Sequence, residues 1–226
     1  VIKRLQDFRF EAQYQQRPAP SGGYLFRMKE FRRYDRKRMA LHEAEGYFIS
    51  VDSALSDNPN ADYTAISVWA LRGPDIYLRT AIRGRWGFPE QMDQIEKVIK
   101  RYQADKILVE GAASGPLLVK ELRRLGYAVM SLSTKTDKIA RAEASRLAIR
   151  QGFVHLPKNA PDCDWLIHEL ALFPHGPNDD GVDSFTLLMM ALEQWHPHVT
   201  RLSYYRHLPV HRPQIGKRAP EPWAVD

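Results

Sequence analysis

The sequence predicts an α/β protein: a mixed β-sheet of three antiparallel strands followed by parallel strands, flanked by helices. Three observations predict it. Short runs rich in aromatic and β-branched residues, at 47–51, 63–71 and 76–82, follow one another with only turn chemistry between them. Apolar residues then recur at three- and four-residue spacing and alternate with further short apolar runs, an order of helix, strand, helix, strand. Two of the apolar runs end abruptly on a carboxylate, Asp52 and Glu110, and a charge in that position belongs at the rim of a sheet rather than inside it.

Each element has its own justification. Tyr47-Phe48-Ile49-Ser50-Val51 has the composition of a buried strand, and Asp52-Ser53-Ala54 stops it. Ser56-Asp57-Asn58-Pro59-Asn60 supplies turn residues before the second strand, and Arg72-Gly73-Pro74-Asp75 makes a hairpin into the third. Phe88, Met92, Ile95, Val98, Ile99 and Tyr102 form one face of a helix with Pro89 in its first turn. Residues 106–109 are a fourth strand. Gly115-Pro116 opens a helix over 117–125, which Gly126 closes from the C′ position. Residues 128–132 are a fifth strand, and helices follow over 137–150, 162–173 and 182–195. Glycines and prolines punctuate both ends of the chain. The division is a lead-in segment at 1–45, one domain at 46–195 and a basic, Pro-rich tail at 196–226, extended or partly disordered.

Composition narrows the function. The 226 residues are 44% hydrophobic and 27% charged, ordinary values for a globular protein, and no apolar run reaches the ~20 residues of a membrane-spanning helix. The first residues have no signal-peptide core, and without an initiator Met they read as the start of a fragment or processed chain. The lone Cys163 excludes an internal disulfide and a multi-cysteine zinc site, and it fits a reducing, cytoplasmic setting. The net charge of +6 is uneven. Residues 1–38 hold eleven Lys/Arg against four Asp/Glu, and 196–226 hold five against two, which leaves a slightly acidic middle. Basic flanks around an acidic centre suit a polyanion outside and cations inside; they also occur as plain solvated tails. The same two readings apply to Phe31-Arg32-Arg33-Tyr34-Asp35-Arg36-Lys37-Arg38, where aromatics interleave with cations.

The candidate chemistry lies in Asp52, Glu110 and Asp183. A crossover places the strands ending in Asp52 and Glu110 side by side in parallel, and Asp183 heads a helix whose dipole favours an anion there. Carboxylates from three separate elements suit hard divalent cations, which prefer oxygen donors. Singly, each is as well explained as a turn, cap or helix-start acid. Ser114, in Gly111-Ala112-Ala113-Ser114-Gly115, lacks the spacing of a hydrolase nucleophile and reads as a helix cap. His155, His168 and His175 have no metal-ligand spacing, and His196-Pro197-His198 supports no more than incidental metal binding.

In order and motif, the chain resembles the RNase H-like C-terminal nuclease domain of the large terminase subunit of tailed bacteriophages, over about residues 8–195. The resemblance is carried by Phe10-Glu11-Ala12-Gln13-Tyr14-Gln15-Gln16-Arg17-Pro18 with Gly22-Gly23, Ser50-Val51-Asp52-Ser53-Ala54 and Asp62-Tyr63-Thr64-Ala65. Val109-Glu110-Gly111, Lys135-Thr136-Asp137-Lys138 with Arg141, and Asp179-Asp180-Gly181-Val182-Asp183-Ser184 complete it. It implies a metal-dependent endonuclease that cuts double-stranded viral DNA concatemers during genome packaging. It also implies two Mg²⁺ or Mn²⁺ ions, bridged by Asp52 and flanked by Glu110 and Asp183. Asp180 matches a position where some relatives have His, and is either a fourth ligand or a cap. Asp62 is either a hairpin-edge residue of the second strand or a supporting metal or water contact. Lys135, Lys138 and Arg141 resemble a basic segment facing the DNA backbone, with a solvated helix start as the other reading. Portal and small terminase subunit as partners, through a parent protein, and the host cytoplasm during virus assembly follow from the same likeness. No Gly-x-x-x-x-Gly-Lys-[Ser/Thr] phosphate loop occurs, so the resemblance implies cutting without an ATPase motor in this chain. The rival readings are a non-catalytic DNA-binding or docking module, and another RNase H-like nuclease such as a junction resolvase.

Overall fold

The computed structural model describes residues 24–39, 43–54, 62–112 and 114–195. Seven strands form one sheet: β1 (Arg32–Tyr34), β2 (Gly46–Asp52), β3 (Thr64–Arg72), β4 (Asp75–Gly84), β5 (Lys106–Glu110), β6 (Val129–Leu132) and β7 (Val154–Pro157). Five α-helices accompany them among the described residues: α1 (Phe88–Tyr102), α2 (Gly115–Arg124), α3 (Lys138–Arg150), α4 (Pro161–Leu172) and α5 (Asp180–Trp195). The strand order is β1-β7-β4-β3-β2-β5-β6. The meander β2-β3-β4 is antiparallel, while β5 joins β2, β6 joins β5 and β7 joins β4 in parallel.

The central strand β2 explains the layering. Tyr47, Ile49 and Val51 pack on one face with the α1 residues Ile95 and Ile99 and the α2 residues Leu118 and Leu122. Phe48 packs on the other face with Leu166 and Leu170 of α4 and Phe185 and Leu188 of α5. A strand covered on both faces needs buried side chains in both registers, which is why its sequence is a continuous apolar run. Trp69 and Phe185, both fully buried, meet at a ring-centroid distance of 5.4 Å. Burial of such a side chain contributes about 1.5–3 kcal/mol, so this pair fastens α5 firmly to β3.

Two strands went unread in the sequence. β1 lies inside the segment read as a lead-in, yet it pairs in parallel with β7, Arg33 opposite Leu156, and Phe26 and Phe31 enter the core beside it. β7 follows directly on the helix that ends at Gln151-Gly152. Its His155 is buried, stacks on Tyr77 at 4.3 Å and hydrogen-bonds to Asp75 at 2.9 Å. Asp62, expected within a strand, is exposed and precedes β3. Residues 8–18 of the family-like junction, the turn at 56–60 and the tail from residue 196 lie outside the described residues. No described helix is long and apolar enough to cross a membrane.

Candidate active site

Register brings the first two acids together. Val51 lies opposite Val109 in the parallel pair, so Asp52 and Glu110 leave the sheet as neighbours on one rim. Alternation then decides the face: Asp52 shares it with Ser50, whose hydroxyl donates to the Ser184 carbonyl of α5 at 2.6 Å. Ser67, the cross-strand partner of Ser50, shares a short hydrogen bond with the Ser184 hydroxyl and accepts one from Trp69 Nε1 at 2.8 Å. All three serines are buried without exposure, so the clasp cannot exchange with water and fixes the first turn of α5 over β2 and β3. Asp183, next to Ser184, is thereby held at the Asp52 rim. The clasp was missed in the sequence; its only trace is a serine in each of two otherwise apolar strands, at positions that turn out to face each other.

The supports of Glu110 come from its other side. Thr134, just beyond β6, donates a short hydrogen bond to Glu110 Oε1, and Gly111 N–H donates to Leu132 O at 2.7 Å. Gly115 opens α2 against the Glu110 backbone so closely that a Cβ there would overlap the Glu110 carbonyl oxygen. Ser114 does not cap α2 with its side chain. Its hydroxyl donates instead to Ser53 O at 2.8 Å and pairs with the Ser53 hydroxyl at 2.5 Å, tying the ends of β2 and β5 together.

The electrostatics of the rim are those of crowded acids. Burial first, then the Asp183 charge and the hydrogen bond and charge of Glu110, raise the Asp52 carboxyl well above its ordinary value. Asp180 is pushed up to about 6 by burial and by the charges of Asp179 and Asp62. Asp183 is raised by burial, while Lys138 and Arg141 oppose the shift. Lys138 Nζ lies 2.6 Å from Asp183 Oδ2 and 2.8 Å from Asp179 Oδ2, and Arg141 donates to Asp183 Oδ1 at 2.8 Å and to Thr136 O at 2.6 Å. These two cations, read in the sequence either as a segment facing a DNA backbone or as a solvated helix start, lie against the acids; the charge of a helix start is legible in sequence but its direction is not. Lys135 is exposed.

The donors fit hard divalent ions: all are carboxylate oxygens, two of them leave neighbouring strands at one rim, and the third is held by cations already. Among the described residues no group of three or more His, Cys, Asp and Glu side chains is drawn together as a ready metal cage. Both Asp183 oxygens are taken up by cations, Oδ2 by Lys138 and Oδ1 by Arg141.

Glu169 of α4 supports the same helix start. It accepts from Gly181 N–H at 2.7 Å and pairs closely with Arg83 of β4. Burial nonetheless pushes its carboxyl up to about 7, against Arg83 and the N–H, which both favour the ionised form. A carboxyl raised in the folded state binds protons that the unfolded chain has lost, so stability falls as pH rises between the ordinary carboxylate range and that value. Metal-free protein is expected to melt at higher temperature near pH 5 than near pH 8, with a shallower dependence in Glu169→Gln. A flat or opposite profile by circular dichroism would contradict the charge assignment.

Comparison with known proteins agrees with this architecture. No curated protein matches the chain significantly. The large terminase of a thermophilic bacteriophage superposes with a TM-score of 0.60 at 14% identity, covering 74% of this chain and 44% of that one. The chain thus spans less than half the length of that terminase. The large terminase nuclease from thermophilic phage G20c with bound magnesium gives 0.57 at 18% identity, covering 74% of this chain and 97% of that one. The nuclease domain of the Thermus phage P74-26 large terminase gives 0.55 at 19%, covering 76% and 95%. At these identities the likeness speaks for the fold. The sequence model described as the terminase RNaseH-like domain matches residues 49–192, well over half of the chain and reaching from within β2 to within α5, and the chain belongs to that family.

Proposed function

We propose that this chain is the nuclease module of a phage large terminase, a metal-dependent endonuclease that cuts double-stranded viral DNA as concatemers are packaged. The observation that carries the reading is the register that sets Asp52 and Glu110 side by side at one rim, where the clasp on Ser184 brings Asp183 beside them. The G20c nuclease is known with bound magnesium, zinc or cobalt, which supports a divalent-ion site in the family. The all-oxygen donor set of this chain favours Mg²⁺ or Mn²⁺ over softer ions. A pair of such ions supplies Lewis acidity toward water and the scissile phosphate. Asp52, Glu110 and Asp183 would hold these ions, Asp52 as the ligand shared between them, and Asp180 would be a fourth candidate. The Ser50–Ser67–Ser184 clasp and Thr134 orient these carboxylates. The portal and small terminase subunit are proposed partners through a parent protein, and the host cytoplasm the proposed setting.

One observation favours the non-catalytic reading, a DNA-binding module: Asp183 is held by two cations. Incubation with supercoiled plasmid separates the two. Nicking and linearisation in Mg²⁺ or Mn²⁺, abolished by EDTA and by Asp183→Asn, are expected. Binding in a gel shift without cutting in either metal would overturn the nuclease reading.

The same ion pairs carry a further expectation. A metal must compete with Lys138 for Asp183 Oδ2, so Lys138→Ala should tighten Mn²⁺ binding by calorimetry on the order of tenfold, or ~1.4 kcal/mol. Weaker binding in that variant would show that Lys138 helps to build the site instead.

A further inference from the structure

The chain stays held for two residues beyond Asp52, although the backbone ladder of β2 does not extend that far. The pairing of β2 with β3 stops at Asp52 opposite Ala65. Past that point the Thr64 side chain takes over from the ladder. Its hydroxyl donates to Ala54 O at 2.7 Å and accepts from Ala54 N–H at 3.1 Å, so one side chain serves both backbone groups. Ser53, between Asp52 and Ala54, is held by Ser114.

A hydroxyl has one proton and two lone pairs, so one acceptor position of Thr64 is left. Gln91, in the first turn of α1, fills it. Its Nε2 donates to Thr64 Oγ1 at 2.7 Å, with a longer contact of 3.4 Å to Ala54 O. Gln91 and Thr64 are both fully buried. The other buried residues of α1 are Met92, Ile95, Val98, Ile99 and Tyr102, which makes Gln91 the one amide among them. Its Oε1 is buried and has no hydrogen-bond partner among the described residues. An amide paired at one end only destabilises a core that an apolar side chain of the same length would fill without that penalty. What the amide adds is a Thr64 hydroxyl with every position used, and therefore a single arrangement at the end of β2.

We propose that Gln91 is a positioning residue for Asp52, acting from α1 through Thr64 on the backbone at Ala54. The Ser184 clasp fixes β2 from the α5 face, and Gln91 fixes its end from the α1 face. The proposal rests on the nuclease reading, in which Asp52 is the ligand shared between the ions.

The test combines calorimetry of Mn²⁺ binding, kinetics of plasmid cutting and thermal melting. Gln91→Met keeps the length of the side chain and removes both the hydrogen bond and the unpaired oxygen. It is expected to melt close to wild type and to bind Mn²⁺ about tenfold more weakly. Its kcat should fall about tenfold with KM for DNA unchanged. Thr64→Val is expected to lose at least as much metal affinity, and Thr64→Ser to retain that of wild type. Because Gln91 acts through Thr64, the double variant Gln91→Met with Thr64→Val should bind no more weakly than Thr64→Val alone. If Gln91→Met binds Mn²⁺ and cuts as wild type does, or loses both only along with its melting temperature, the positioning role alone is overturned. A wild-type protein that neither binds Mn²⁺ nor cuts plasmid would overturn it together with the nuclease reading.

Discussion

Asp52→Asn is expected to lose plasmid cutting by at least about 10²–10³-fold, because on the proposed reading it removes the carboxylate that would be shared by the ions; that is ~3–4 kcal/mol of the several such ions would supply. The substitution is nearly isosteric and leaves the β2 ladder untouched. Its effect on stability should therefore run the other way. The Asp52 carboxyl is raised well above its ordinary value by burial and by Asp183 and Glu110, so its charge is costly in metal-free protein. A neutral amide relieves that repulsion. Metal-free Asp52→Asn is expected to melt at or above the wild-type temperature, and added Mn²⁺ should raise the melting temperature of wild type much more than that of the variant. Lost cutting with a lowered melting temperature would point to a structural role for Asp52. Retained cutting would remove it from the site.

What was legible in the sequence follows from where each element's stability comes from. β2, β3 and β5 are buried on both faces, so their apolar runs declare them, and the acids at the ends of β2 and β5 were visible because a charge interrupts such a run. α1 shows its buried stripe directly in the spacing of Met92, Ile95, Val98, Ile99 and Tyr102. β1 and β7 had no such signal. Arg32 and Arg33 are exposed, and β7 is four residues containing a histidine and a proline; β7 exists because the far edge of β4 offers a parallel ladder, and β1 because β7 then offers another. The directions of Lys138 and Arg141 were equally out of reach. Arg141 meets Asp183 across 42 positions, and the Ser50–Ser184 clasp spans 134, so both depend on how α3 and α5 come to rest on the sheet. Short-range pattern reports what a residue is surrounded by along the chain, and these contacts are made across it.

Gly115→Ala is expected to lower the melting temperature and the cutting activity together. The first residue of α2 approaches β5 so closely that an added Cβ would overlap the Glu110 carbonyl oxygen, which is backbone and cannot rotate away. Relief requires moving either the α2 start or the end of β5. The first is held by Gly115 N–H to Ala112 O at 2.9 Å and by the Ser114–Ser53 contacts, the second by its ladder to β6. Overpacking of this kind costs about 1–3 kcal/mol, and a melting point falls by about 2–4 °C per kcal/mol at this size, so a loss of roughly 2–12 °C is expected. Glu110 carries its carboxyl with it, and a shift near 1 Å at a reacting group costs on the order of 10²-fold in rate. Gly126→Ala is the control. Gly126 has a φ of +85° and nothing within 4 Å of an added Cβ, so that variant should lose stability through backbone strain while its cutting remains close to wild type. If Gly115→Ala melts lower but cuts as well as Gly126→Ala, the close approach of α2 serves the fold, and the Glu110 carboxyl is positioned by Thr134 without it.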